Sequence, residues 1–192
     1  MSTIATPRGV ILDSVPRSAP ATIATIAACT VFIGLAAQVS IPLPGTPVPL
    51  TGQTFAVLLV GAVAGPWRAV VSTVLYAALG LAGVPWFAGH SAGYVTATFG
   101  YIVGFVAAAA LVGWLAQHGW TRRPALTVAA MLLGDLVIYL VGVPWLMTSL
   151  GVSWASALAL GMTPFLLGDL LKAVLAAGLF TLAWPRVDRR QR

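Results

Sequence analysis

Apolar residues along this chain come in long unbroken runs, with the polar residues gathered into short pieces between them. A helix of roughly 20 apolar residues crosses the hydrocarbon of a bilayer, and fewer suffice where the bilayer thins. The runs therefore predict membrane helices at about 21–41, 52–65, 68–83, 94–116, 125–144 and 163–184. The second and third are short and separated by Gly65-Pro66-Trp67-Arg68, so they read either as two spans or as one broken hairpin. The expected fold class is an all-α integral membrane protein with six transmembrane helices. Residues 1–20 would form an N-terminal tail, 21–184 the membrane domain and 185–192 a basic tail. No small-x-small cleavage site ends the first run, which therefore reads as a retained helix rather than a removed signal.

The arginines orient this arrangement. With six spans, the tail carrying Arg8 and Arg17, the turn at Arg68, the loop with Arg122 and Arg123, and the tail PRVDRRQR all fall on one side. The opposite loops, near 42–51, 84–93 and 145–162, contain no Lys or Arg. Positive charge marks the cytoplasmic side of a membrane protein, so both termini are expected in the cytoplasm. Five or seven spans would put the basic C-terminal tail outside. The sequence GVPW occurs at 83–86 and again at 142–145, each time expected at the outward end of a helix that proline stops. Each tryptophan would then anchor at the interface; so short a match does not establish a duplication.

Composition strengthens the membrane reading. Of 192 residues, 59% are hydrophobic and only 7% charged, with mean hydropathy +0.97, whereas ordinary soluble domains are about 25% charged. The pI near 10.5 does not point to nucleic acid, because the arginines form no basic face. Contact with anionic lipid headgroups accounts for it better. The single cysteine, Cys29, excludes an internal disulfide and a Cys-rich metal site.

Several chemistries lack their residues. No phosphate-binding G-x-x-x-x-G-K-[ST] is present, so this chain alone is not expected to hydrolyse ATP. His90 and His118 have no metal-ligand spacing, and no serine has a His/Asp partner placed by motif. No metal and no cofactor are expected.

What stands out instead is charge inside the spans. There is no glutamate, and Asp135, Asp169 and Lys172, the only lysine, lie in apolar segments. Each costs roughly 2.5–3.5 kcal/mol at a helix centre. Asp169 and Lys172, at i and i+3, lie ~60° apart around a helix and can touch. They read either as a structural ion pair or as the polar floor of a substrate pocket. The second is preferred, because an arbitrary structural pair is commonly replaceable by apolar packing. Asp135 follows Gly134 as Asp169 follows Gly168. It would either face the same pocket or hydrogen-bond within the core.

The outer loop FAGHSAGY (87–94) sets Gly89 and Gly93 around His90 and Ser91, as a plain surface turn or as a small flexible lid. Before the second helix, Pro42, Pro44, Pro47 and Pro49 stiffen the entry, and Gln53 is the first strongly polar side chain to enter the membrane. Small residues recur at four-residue spacing in Ala24/Ala28, Gly61/Gly65, Gly100/Gly104 and Ala173/Ala177. Such pairs let helices approach closely, and only one on an outward stripe would mark a docking surface.

Four stretches carry more than composition: SIPLPGTPVPLTGQTFAVLLVGAVAG (40–65), GLAGVPWFAGHSAG (80–93), FGYIVGFVAAAALVGWL (99–115) and PFLLGDLLKAVLAA (164–177). In order and spacing they resemble the BioY family, the biotin-specific substrate-binding (S) subunits of energy-coupling factor transporters. The resemblance spans nearly the whole chain after residue 20. FAGHSAG stands where the family more often has a glycine-richer run, and TATFGY where it has P-T-G-G-Y.

The resemblance implies a six-helix multi-pass protein of a bacterial-type plasma membrane, with a biotin pocket opening outward. Asp169 and Lys172 would line it with the loop residues Phe87, Gly89, His90, Ser91 and Tyr94, and Gln53 and Asp135 are further candidates. Tyr76, Trp86 and Tyr101 are further rings able to pack on a ligand. The implied partners are biotin, membrane lipid and a transmembrane coupling subunit carrying two ATPase subunits. Docking would use Ala24 and Ala28 on the first helix. A homo-oligomer is left open. The function implied is high-affinity biotin binding for uptake, not catalysis. The rivals are an S subunit for another vitamin, a small intramembrane enzyme using Asp169 and Lys172 as acid and base, and a scaffold whose charged pair fixes helix register.

Overall fold

The computed structural model describes residues 9–16, 18–94 and 97–190. Arg8, Arg17 and Arg192 of the expected tails lie outside them. The chain is all-helical apart from one two-residue strand pair. Its helices are α1 (Ala19–Gln38), α2 (Gln53–Leu81), α3 (Phe99–Gln117), α4 (Pro124–Leu150), α5 (Trp154–Gly161) and α6 (Leu166–Arg190). Among the described residues, five helical stretches are long and apolar enough to cross a membrane: α1, α2, α3, α4 and the run Trp154–Val187.

α1 illustrates why these are membrane rather than soluble helices. It buries Cys29, Thr30, Ile33, Gly34 and Ala37 on one side while Ile23, Val31, Phe32 and Leu35 remain exposed on the other. A helix apolar all round needs lipid or a deep core as its surroundings. The outer face of α6, with Leu167, Leu171, Leu175 and Leu182 exposed, repeats the pattern.

The doubtful segment, α2, is a hairpin. At Gly65 the backbone leaves the helical region (φ 79°, ψ 170°), and Pro66 follows. That conformation is open to glycine and strained for any side chain. The arms 53–64 and 66–81 then run back along each other, so that the Gln53 side chain donates to the Tyr76 hydroxyl at 2.9 Å. In a straight helix those residues would lie some ~35 Å apart. The bend packs on α3, where a Cβ at Gly113 would lie 2.5 Å from the Pro66 nitrogen. Gly65→Ala is therefore expected to lose much of its folded yield in detergent, read by size-exclusion profile and thermal midpoint. Gly178→Ala in α6, where a Cβ meets nothing within 4 Å, serves as the glycine control and should keep its yield.

The bend marks one end of the bundle. A Cβ at Gly65 would meet Val10 and Gln117, so the N-terminal segment and the end of α3 sit there. Arg68 is buried and donates to Leu12 O at 2.9 Å, with Asp13 at 4.0 Å. Trp184 near the end of α6 donates to Thr121 O at 2.9 Å, and the Arg122 guanidinium lies 3.8 Å over its ring. Arg68, Arg122, Arg123 and Arg186 thus gather at this end.

Three expectations are corrected. Pro144 does not stop its helix: α4 continues through it to Leu150, where Gly151 (φ 65°) caps it. Packing carries the helix past the proline, with Gly142 against Tyr101 and Trp145 against Gly100. The loss of one backbone donor is tolerated in such a packed setting. Trp86, in the other GVPW, is half-buried. It lies on Gly34 of α1, and its indole nitrogen donates to Tyr76 O at 3.0 Å. The segment 145–162, expected as a loop, contains the last turn of α4 and all of α5, the latter capped by Ser153, which accepts from Ser156 N. α6 runs through Pro185 to Arg190, so much of the expected C-terminal tail is helical.

Candidate ligand cavity

At the end of the bundle away from the α2 bend, the chain forms a partly open cavity of about 320 Å³. That is within the ~300–1,000 Å³ typical of small-molecule sites. Two outer segments frame it. One is the proline-stiffened turn between strands Ser40–Ile41 and Leu50–Thr51, which pair antiparallel; its residues 47–51 line the cavity. Thr46 ties this turn to α5 by donating to Leu160 O at 2.7 Å. The other is the turn Phe87–Ser91, closed by Phe87 N donating to Ser91 O at 3.0 Å. Phe87 is fully buried against Gly80, where no Cβ fits.

The floor is polar. Asp169 sits in the first turn of α6, where the helix dipole favours an anion, and is only 3% exposed. Lys172, one turn on, donates to Asp169 Oδ1 at 3.2 Å and to Thr54 Oγ1 at 2.9 Å. The Tyr139 hydroxyl of α4 donates to the other carboxylate oxygen, Oδ2. The charged pair is therefore built into a network that joins α2, α4 and α6. Asp135, one turn before Tyr139 on α4, also lines the cavity and is buried, yet among the described residues its carboxylate has no hydrogen-bond partner.

The walls are apolar and aromatic: Ile102, Phe105, Ile138 and Phe165, with Tyr101 fixed by donating to Gly161 O at 2.9 Å. Of the residues singled out from sequence, Gln53, Phe87, Ser91, Asp135, Asp169 and Lys172 line one cavity. Gly89, His90 and Tyr94 do not. His90 is exposed, and Tyr94, 60% exposed, stacks its ring near Phe99 and Trp145. Thr54 and Tyr139 complete the polar floor without having been anticipated. Of the small-residue pairs, Ala173 and Ala177 are buried in the bundle, whereas Ala24 and Ala28 are exposed.

Fold and site together define a multi-pass, all-helical membrane protein with a small-molecule cavity at one end. Comparison with known proteins makes this specific. The BioY family model matches residues 12–189, and the chain belongs to the BioY family. A protein of Pyrococcus horikoshii named "Probable biotin transporter BioY" is 36% identical over 157 residues, covering 80% of this chain and 90% of that one. The "Biotin transporter BioY" of Rhizobium etli is 31% identical over 164 residues, covering 80% and 86%. The same fold occurs in the crystal structure of the S-component for biotin from an ECF-type ABC transporter, with TM-score 0.75, 23% identity, and coverage of 89% of this chain and 91% of that one.

Proposed function

We propose that this chain is the biotin-binding membrane subunit of a vitamin importer. It is a transport protein and not an enzyme: its relatives are named as biotin transporters. The observation that carries the reading is the polar floor of Asp169, Lys172, Thr54 and Tyr139 beneath apolar, aromatic walls. Biotin has the matching chemistry: an apolar bicycle and valeryl chain, two ureido N–H donors, a carbonyl acceptor and a carboxylate. Asp169 and Asp135 would accept ureido N–H groups, and Lys172 would donate to an oxygen of the ligand.

In this reading the chain crosses the plasma membrane six times, the two arms of α2 each counting as one. Both termini and the arginine-bearing end face the cytoplasm, and the cavity opens outward. With no phosphate loop in its sequence, the chain depends on two ATPase subunits and a transmembrane coupling subunit for energy. The exposed Ala24 and Ala28 of α1 are where that coupling subunit would dock.

A ligand panel tests the reading. Purified protein in detergent is expected to bind biotin with strong preference over riboflavin and thiamin, measured by calorimetry, and to return it chemically unchanged. Well-folded protein that ignores biotin, or prefers another vitamin, would overturn the assignment.

A further inference from the structure

The cavity wall Phe87–Ser91 contains two successive left-handed residues, Gly89 (φ 68°) and His90 (φ 58°). Glycine accepts this backbone freely, but histidine does not, so something must hold the turn in shape. Beyond the turn's own bonds, from Phe87 N to Ser91 O and from Ser91 Oγ to Ala88 O, one side chain of α1 holds it. Gln38, the last residue of α1, donates from Nε2 to Trp86 O at 2.8 Å and to Phe87 O at 3.3 Å. Its Oε1 accepts from the His90 backbone N–H at 3.2 Å. The same amide nitrogen reaches back to Gly34 O at 3.0 Å, which fixes the side chain to its own helix. Gly34 in turn leaves room for the Trp86 ring, since a Cβ there would lie 2.8 Å from it.

Both ends of the strained turn are thus tied to α1 by one residue, while Phe87, Ala88 and Ser91 face the ligand space. The geometry points to Gln38 as a positioning residue that holds the cavity closed on its ligand and links α1 to ligand release. Gln38 itself does not line the cavity, so its effect travels only through the wall. Loss of the clamp leaves a bound molecule's polar contacts in place but lets the wall open. The consequence falls on the dissociation rate and not on encounter. Because α1 also carries an exposed apolar face, a partner that shifts it would act on the ligand through this side chain. The inference rests on the biotin reading only for its ligand.

Two variants test it: Gln38→Leu, which removes all the bonds at similar size, and Gln38→Glu, which keeps an acceptor for His90 N–H but loses the donors. Biotin release is expected to accelerate roughly ten- to hundredfold in Gln38→Leu and at least as much in Gln38→Glu, whose carboxylate faces the carbonyls of Gly34, Trp86 and Phe87, with association unchanged. Amide hydrogen exchange at 87–91 in the ligand-free protein should rise in both variants. Thr30→Val is the control for a merely structural role. It removes a buried bond from α1 to Ser72 O (3.2 Å) far from the cavity, and should lower the thermal midpoint without changing release. Wild-type release rates in both Gln38 variants, or equal acceleration in Thr30→Val, would overturn the inference. If Gln38→Leu does not fold, Gln38→Glu decides. If wild-type protein binds no biotin, the functional reading falls, and unchanged exchange at 87–91 in the variants would separately remove the clamp.

Discussion

Lys172→Met is expected to weaken biotin binding by more than about a hundredfold and to destabilise the ligand-free protein as well. The two losses have different causes. Removing the ammonium leaves Asp169, 3% exposed, with only the Tyr139 hydroxyl for company. Breaking a buried pair from one side typically costs about 3–5 kcal/mol. Removing both charges is far gentler, because no unpaired ion remains. Asp169→Asn combined with Lys172→Met should therefore regain most of the thermal midpoint. The biotin affinity of that double variant then separates the two roles of the pair. If Asp169 and Lys172 grip the ligand, the stable double variant still fails to bind in calorimetry. If they grip each other and merely shape the floor, it binds like wild type, and the ligand contacts lie elsewhere.

The reason this pair was visible in the sequence is that charge is expensive in lipid, so each instance stands out against an apolar background. The same logic made the arginines legible. Arg68, the neighbours Arg122 and Arg123, and Arg186 lie in three separate stretches, and the helices bring them to one end of the bundle. Groups whose polarity is unremarkable in a membrane helix gave no such signal. Thr54 is one threonine among many until Lys172 arrives from α6 at 2.9 Å. Tyr139 could have been found by its place one helical turn after Asp135, on the same face of α4. Gln38 could not, because its partners at 86–90 are remote in sequence and are all backbone atoms.

Proline and glycine were read well for local conformation and poorly for consequence. Gly65-Pro66 marks a break in the sequence, but only the Gln53–Tyr76 bond makes it a hairpin and not a kink. Pro144 carries the same local signal as Pro66 and does nothing comparable, because α4 is held on both sides of it by α3. Of the loop 87–94, the sequence offers Phe87, Gly89, His90, Ser91 and Tyr94 to a ligand. The backbone of that turn divides them: with Gly89 and His90 left-handed, Phe87 and Ser91 line the cavity while His90 is exposed.

Asp135 yields the second large effect, and its sign is what makes it informative. The cavity floor holds two aspartates and one lysine, and Asp135 also lines a small recess with Lys172. Asp169 has donors from Tyr139 and Lys172; Asp135 has none among the described residues. Asp135→Asn keeps the shape and leaves Asp169–Lys172 as the ion pair of the floor. The thermal midpoint of the ligand-free protein should rise, since burying an ionisable carboxyl costs more than burying a neutral amide. Biotin affinity should fall, by roughly tenfold or more, because one of the two carboxyl oxygens offered to a ligand N–H is replaced by an amide NH2 that donates. A residue retained only for packing would not trade stability against binding in this way. Ureido-N-methyl biotin sharpens the point. If Asp135 accepts that N–H, methylation costs wild-type protein much affinity and Asp135→Asn little, a coupling that a double-mutant cycle reads directly. Equal penalties for both proteins would place the ureido group elsewhere in the cavity and leave Asp135 as a destabilising residue without a ligand to justify it.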